Sequence, residues 1–421
     1  MDTHLAAAIC WLLCALAPGQ APTSGASPEA VRYVETALEQ IEQGSRVYAT
    51  DWQALRSEAL AAIAAAGAQT PAQTYPAIRG ALGTLGDKHG RLLDPEAAKL
   101  MSSKRPALST GLSIVPGEMV VARVAPGSPA EAAGLAPGDR IEGVEGVSGF
   151  SGLPRFEFER LFRCGQRADG SIVPLRLTVR SGAAAPREAQ VPLGSFDESL
   201  APSGRLLEGG IAYLELPGVS GPKAKDYDDA VHALLAQLDD GALRGCIVDL
   251  RRNSGGSVEP MLAAIGPLAG SGQLGAYVSA KVNSPWSYDA ARGAALFEGY
   301  ELASVARPHP LRDELPVALL TGALTAQAGE ALVVAFAGRP RTRRFGQGTR
   351  GVPIGSTTLA LPDGALLLLT ASVQADRSGR RYEGVIPADE VLPTDWARFG
   401  SAEDPVVAAA HRWLLATGAG E

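Results

Sequence analysis

Two apolar runs that end in small-residue turns constrain this chain more than any other feature. GCIVDLRRNSGGS (245–257) is a near-continuous apolar strand running into a glycine-rich turn, and PMLAAIGPLAG follows as a helix. PVALLTG (316–322) is a second buried strand, followed by a tight turn and the apolar helix of TAQAGEALVVAFAG. A strand without polar alternation is covered on both faces, and strands separated by helices are joined by crossovers. The pattern therefore predicts a mostly parallel sheet with helices packed on it. GGIAYLELPGV (209–219) adds a strand, residues 225–240 an amphipathic helix, and RRFGQG, STTLALPDG and ALLLLTASV further strands. DPVVAAAHRWLLAT reads as a closing amphipathic helix.

Ahead of this unit the character of the chain changes twice. Residues 28–105 carry apolar positions at helical spacing. Asp51 is a plausible N-cap for DWQALRSEALAAIAAAG, and TPAQTYPAIRGALGTLGDKHG is a further helix broken near Gly83–Gly86. Residues 107–197 alternate short β-type runs with turns: a strand over Met119–Val124, a short helix in PGSPAEAAGL, a turn into a strand at PGDRIEGV, a helix in FEFERLFRC, then strands in SIVPLRLTVRSG and REAQVPL. The expected fold class is multi-domain α/β. It has a helical N-terminal region (28–105), a small β domain (107–197), an α/β domain with a mostly parallel sheet (205–397) and a C-terminal helix (398–421).

At the start, the apolar run Leu5–Ala17 is too short to span a bilayer and has the length of a signal-peptide core. It predicts a signal peptide over 1–21, export to a periplasmic or extracellular location, and no stable transmembrane anchor after its removal; the alternative is a frayed apolar helix. The 421 residues are 46% hydrophobic and 20% charged, which supports packed cores. The net charge of −7, with no long basic run, excludes a nucleic-acid footprint. Of the four cysteines, Cys10 and Cys14 fall in the leader, while Cys164 and Cys246 are either a disulfide or two unrelated buried thiols. No cysteine spacing suits a metal.

Chemistry concentrates at the two strand-to-helix elbows. Glycines Gly255 and Gly256 let the backbone approach a ligand and aim amides outward, as an oxyanion hole requires. In the second elbow the apex stands at a helix N-terminus, where the dipole favours a developing anion, and the Ala328 amide is a further donor.

With the segments GGIAYLELPGVSG, GCIVDLRRNSGGS, LTAQAGEALVVAFAGRPRTRRFGQGTRG, LPDGALLLLT, ADRSGRRYEGVIPADE and LGTLGDKHG in this order, the chain resembles the C-terminal processing (tail-specific) serine peptidases, whose relatives include tricorn protease and the interphotoreceptor retinoid-binding repeats. PGSPAEAAGLAPGDRIEGVEG resembles a circularly permuted PDZ domain. The resemblance implies a crotonase-like ββα peptidase domain, cleavage of peptide tails by a serine, and no cofactor or metal. Its partners would be peptides or protein C-terminal tails, with strand addition at the PDZ edge and Gly111 and Leu112 of the STGL loop as peptide-binding residues. An ordinary turn before a strand is the other reading of that loop.

The implied nucleophile lies three positions before the elbow's glutamate, so Glu330 puts Gln327 there. A lysine base of the processing type would fall at Val352. Tricorn-type relatives use a histidine from the N-terminal region, which matches His89, and Glu383 is the candidate orienting acid. A carboxamide has no oxygen that a base can activate. Thr325, two positions earlier, would point elsewhere; Ser254 and Ser257 read as turn caps, and Ser356 and Ser372 as surface serines. His232, His309 and His411 read as packing or surface residues. Three functions stay open: a degenerate peptidase that binds tails through PDZ and cleft, an active serine-type endopeptidase with His89 as base and another nucleophile, and a small-ligand carrier.

Overall fold

The computed structural model describes residues 25–45, 50–87, 89–102, 108–153, 155–165, 171–197, 200–312 and 314–418, so the expected signal peptide lies outside the described residues. The described residues divide into two units.

Among the described residues the first unit comprises 25–44, 50–87, 89–101 and a return segment, Thr358–Leu369. Its helices are Pro28–Gly44, Trp52–Ala65 and Pro71–Thr84. The Asp51 carboxylate accepts the amides of Gln53 (3.1 Å) and Ala54 (3.0 Å), so the second helix is capped where its sequence places the cap. Tyr33, Leu38, Ile63 and Ile78 meet in one core with Leu361 and Leu367 of the return segment. The strand Arg91–Leu93 pairs antiparallel with Leu366–Leu368. Asp363 accepts the hydroxyls of both Tyr33 (2.7 Å) and Tyr75, which ties the return segment to two helices.

In the second unit, residues 108–197 form a five-stranded antiparallel sheet in the order Leu112–Val115, Val120–Val124, Arg140–Val144, Leu175–Arg180, Arg187–Val191. Its core joins Ile114, Val121, Ile141 and Leu177 to Phe158, Leu161 and Phe162 of the helix Arg155–Cys164. The larger sheet runs Glu390–Val391, Thr342–Gly346, Val317–Thr321, Gly245–Asp249, Ile211–Glu215, Ser203–Leu207; every neighbouring pair is parallel except the last. Side chains alternate across it as a strand period of two demands. Ala212, Leu214, Cys246, Val248, Val317 and Leu319 face the helices Tyr227–Leu238, Val258–Ala269 and Ala328–Ala335. Ile211, Tyr213, Ile247, Ala318 and Leu320 face the closing helix Pro405–Gly418. Burial on both faces accounts for the unbroken apolar runs in the sequence.

An antiparallel meander, Gly272–Val278, Asn283–Asp289, Ala294–Phe297 and Tyr300–Ser304, continues from residues 373–376 of the long strand Leu366–Asp376. The β domain packs on the larger sheet through Val115 and Ala122 against Leu324 and Trp396. Three polar bonds cross the same interface: Arg252 to the Ala122 carbonyl (3.0 Å), Gln347 to Glu118 (2.8 Å) and Arg350 to Glu159 (2.7 Å). Among the described residues no helix is long and apolar enough to cross a membrane.

Candidate active site

The strands Gly245–Asp249 and Val317–Thr321 lie side by side and in parallel, Leu320 opposite Asp249, so the two turns that leave them emerge together. The crevice beyond the carboxyl ends of such strands is where open α/β sheets hold ligands. Just below it the fully buried Arg251 binds Asp249 (2.6 Å) and Asp404 (2.7 Å), and the Tyr213 hydroxyl donates to Asp249 at 2.8 Å. Burial opposes the guanidinium charge, but the carboxylates outweigh it and hold the group protonated.

Asn253 joins the two turns. Its Nδ2 donates to the Leu216 carbonyl (3.0 Å), its Oδ1 accepts the Gly255 amide (3.2 Å), and its carbonyl accepts the Ala326 amide (2.9 Å). Gly255 (φ 108°) and Gly256 (φ 125°) are both in the region open to glycine. A Cβ on Gly256 would stand 1.9 Å from the Val219 carbonyl oxygen, and one on Gly255 would stand 2.9 Å from Gln327 Oε1. The first turn therefore touches the apex of the second.

Gln327 is that apex. It has φ 51° and ψ −108°, a conformation that costs a non-glycine residue about 1–3 kcal/mol. Its side chain is exposed, whereas Ala326 and Ala328 on either side are buried. Its amide donates to Glu330 Oε2 (2.9 Å), and its carbonyl accepts the Ala331 amide (3.0 Å) and Gln374 Nε2 (3.1 Å). The helix Ala328–Ala335 can start this close to the first turn because residue 329 is glycine; a Cβ there would meet the Asn253 carbonyl oxygen at 2.5 Å. The amides of Gly256 and Ala328 make no hydrogen bond among the described residues, while that of Gly255 is turned into its own loop.

Glu330 is fully buried and collects four groups: the amides of Gln327, Gly351 (2.8 Å) and Val352 (3.0 Å), and the Thr349 hydroxyl (2.7 Å). Burial pushes its carboxyl up, against the pull of these donors. The Arg350 amide donates to the Thr325 carbonyl at 2.9 Å, so the 349–352 loop is bolted to the elbow at several points. Val352 is 8% exposed and supplies no ionisable group where the resemblance would want a lysine.

The remaining residues singled out in the sequence are placed as follows. Thr325 is fully buried; its hydroxyl donates to the Leu250 carbonyl (2.9 Å) and accepts the Gly322 amide (3.0 Å), so it is committed to the turn. Ser254 is exposed beside Gly255. Ser356 is exposed, but Ser372 is 8% exposed and packs near Gly355, which corrects its reading as a surface serine. Glu383 is exposed and makes no hydrogen bond or ion pair among the described residues; the buried acid of the elbow is Glu330 instead. His89 belongs to the first unit, where its amide donates to Asp87 Oδ1 at 3.0 Å. In the STGL loop the amides of Gly111 and Leu112 donate to the hydroxyls of Ser109 and Thr110, both at 3.2 Å. Cys164 and Cys246 are free thiols, so the disulfide alternative falls; burial pushes the Cys246 thiol up to about 12.

The structure thus gathers Gly255, Gly256, Gln327 and Ala328 at one place. Sequence reading used Glu330 only as a ruler, although the three-residue spacing from the apex is that of a capping box. It passed over Gln374 altogether, because a single glutamine in an apolar strand carries no signal of its own.

Known proteins agree with this architecture. Residues 210–391 match the family described as Peptidase family S41, and residues 120–163 match the PDZ domain. The nisin-resistance protein of Lactococcus lactis subsp. lactis is 28% identical over 202 residues, 47% of this chain and 60% of that protein. Carboxyl-terminal-processing peptidase 2, chloroplastic, of Arabidopsis thaliana is 26% identical over 369 residues, 80% of this chain and 65% of that protein. The chain thus spans under two thirds of the length of these two relatives. Among solved structures, the photosystem II D1 C-terminal processing protease superposes with a TM-score of 0.62 at 21% identity, covering 87% of this chain and 94% of its own. The chain thus carries a peptidase family S41 domain over 210–391 and a PDZ domain over 120–163, and its relatives include proteins named carboxyl-terminal-processing peptidases.

Proposed function

We propose that the protein is a tail-specific peptidase homologue that binds peptide tails and is impaired in cutting them. The observation that carries this reading is Gln327: an exposed, strained apex against a glycine turn, bearing a carboxamide in place of a hydroxyl. The strain and the paired glycines are the framework that presents a nucleophile and receives an oxyanion. Without an attacking oxygen, loss of turnover on the order of 10⁶ follows by comparison with removal of a triad serine. Thr325 offers no rescue, since its hydroxyl is buried and doubly bonded. What remains is a crevice in which the amides of Gly256 and Ala328 make no hydrogen bond among the described residues and are open to the carbonyl of an extended peptide, together with a PDZ domain of the strand-adding kind. The natural ligands are then unstructured protein C-termini.

The test is a fluorophosphonate probe on the purified chain, read by mass spectrometry. No serine or threonine is labelled in the natural chain, and tail peptides bind without being cleaved. Labelling of the exposed Ser254, or of any other hydroxyl with the reactivity of a catalytic group, overturns the reading and makes the protein an active serine-type peptidase. Gain of labelling in Gln327→Ser supports it.

A further inference from the structure

We infer that Gln374 is the positioning residue of the second elbow, the group that holds position 327 in its outward-facing conformation. The inference rests on the reading of Gln327 as the apex of a peptidase elbow and adds the residue that keeps the apex in shape.

Gln374 lies 47 positions from Gln327, in the strand Leu366–Asp376, and is fully buried. Its Nε2 donates to the Gln327 carbonyl (3.1 Å), while its own amide donates to the Pro353 carbonyl (2.8 Å). Pro353 follows Val352, so one residue spans from the apex to the loop that Glu330 holds from the other side. Both polar groups of the Gln327 backbone are then clamped: the amide by Glu330, the carbonyl by Gln374 and the Ala331 amide. A residue at φ 51° persists only when its surroundings over-determine it, and these bonds supply that constraint.

The other half of the side chain supports the same conclusion. Gln374 Oε1 is buried and has no hydrogen-bond partner among the described residues. A buried carboxamide satisfied only through its donor is a poorer core residue than leucine or methionine of similar size. Turning the amide over would set oxygen against oxygen at the Gln327 carbonyl, so the orientation is fixed by the apex. The neighbours Val373 and Ala375 in the same strand are apolar and buried. The one frustrated polar group in this stretch thus stands where the strained apex needs a donor, the kind of local rule-breaking that marks functional positions.

The test is hydrogen exchange by mass spectrometry on the full chain, comparing the natural protein with Gln374→Met and Gln374→Glu. Gln374→Met raises exchange over residues 325–331 at least tenfold, and leaves the strand partners at 275–278 and 381–382 within about twofold. Gln374→Glu behaves likewise at neutral pH and regains protection on acidification, after correction for intrinsic rates, because a protonated carboxyl restores the donor. Unchanged exchange over 325–331, or equal loosening of the partner strands, overturns the inference. Should Gln374→Met fail to fold, the acid recovery of Gln374→Glu decides. In a second arm, Gln327→Ser is labelled by a fluorophosphonate and adding Gln374→Met slows labelling at least tenfold. If Gln327→Ser alone is not labelled, the nucleophile reading of position 327 fails, and the exchange arm still judges Gln374.

Discussion

The two elbows leave neighbouring parallel strands, yet they solve the same geometric problem in opposite ways. The first turn reaches its tight shape with glycines, Gly255 at φ 108° and Gly256 at φ 125°, and stores no strain. The second puts φ 51° on a glutamine and holds it there with Glu330, Gln374 and Ala331. Where only backbone amides must be presented, glycine suffices. Where a side chain must be presented, the fold accepts strain and surrounds it with polar clamps. The second elbow keeps this costly frame although its side chain is a carboxamide.

The comparison can be broken at the floor both turns share. Arg251 is fully buried between Asp249 and Asp404. Arg251→Met leaves two buried carboxylates unpaired, and a loss of about 3–5 kcal/mol is expected in urea unfolding. A loss under 1 kcal/mol would show that the floor rearranges freely and that neither elbow is rigidly based. Next in size, Gly256→Ala sets a methyl against the Val219 carbonyl oxygen in a backbone region closed to alanine. Unfolding should register a loss of about 2–4 kcal/mol. The reverse substitution at the other turn, Gln327→Gly, relieves strain at the expense of unfolded-chain entropy, and a net gain of about 1 kcal/mol is expected. Opposite signs at 256 and 327 would sharpen the contrast, and a destabilised Gln327→Gly would abolish it.

How much of this was legible in the sequence follows from which contacts are local. The parallel strands could be read because burial on both faces leaves the runs CIV (246–248) and VALL (317–320) without polar interruption. The meander over Gly272–Ser304 could not: its strand Asn283–Asp289 contains Pro285 and the polar residues Asn283, Ser284, Ser287 and Asp289. The apex was reached by counting from Glu330, a distance of three residues. Gln374 was out of reach, because its meaning comes from a carbonyl 47 positions away. The Ser372 reading failed for a related reason, since strand alternation alone does not say which face a neighbour such as Gly355 will cover.

The smallest effect separates the elbows by pH. The helix after the first turn, Val258–Ala269, is held by His232, whose Nε2 lies 3.1 Å from the Ala263 carbonyl while Nδ1 accepts the His309 amide at 3.0 Å. This pairing needs the neutral ring. Burial lowers its pKa below the usual 6.5 against the hydrogen bond to the Ala263 carbonyl, which raises it; the His309 ring, itself bonded to Asp239, lowers it further, and Asp229 opposes. As pH falls through 6.5 the opened state binds a proton that the closed state refuses, so stability present above 6.5 is lost below it. Glu330 in the second elbow has its pKa raised by burial from the usual 4.5. Its contribution is therefore full below 4.5 and lost as pH rises through the raised value. Exchange at pH 5 and pH 7.5, corrected for intrinsic rates, should find 258–269 a few-fold less protected at the lower pH and 328–335 a few-fold more protected. Asp228, raised to about 6 by burial on the same helix as His232, works against the first change. The reference is therefore His232→Gln, in which the acid loss over 258–269 disappears while the response over 328–335 stays. If both helices respond alike, the elbows share one opening, and their difference in construction has no consequence for how they move.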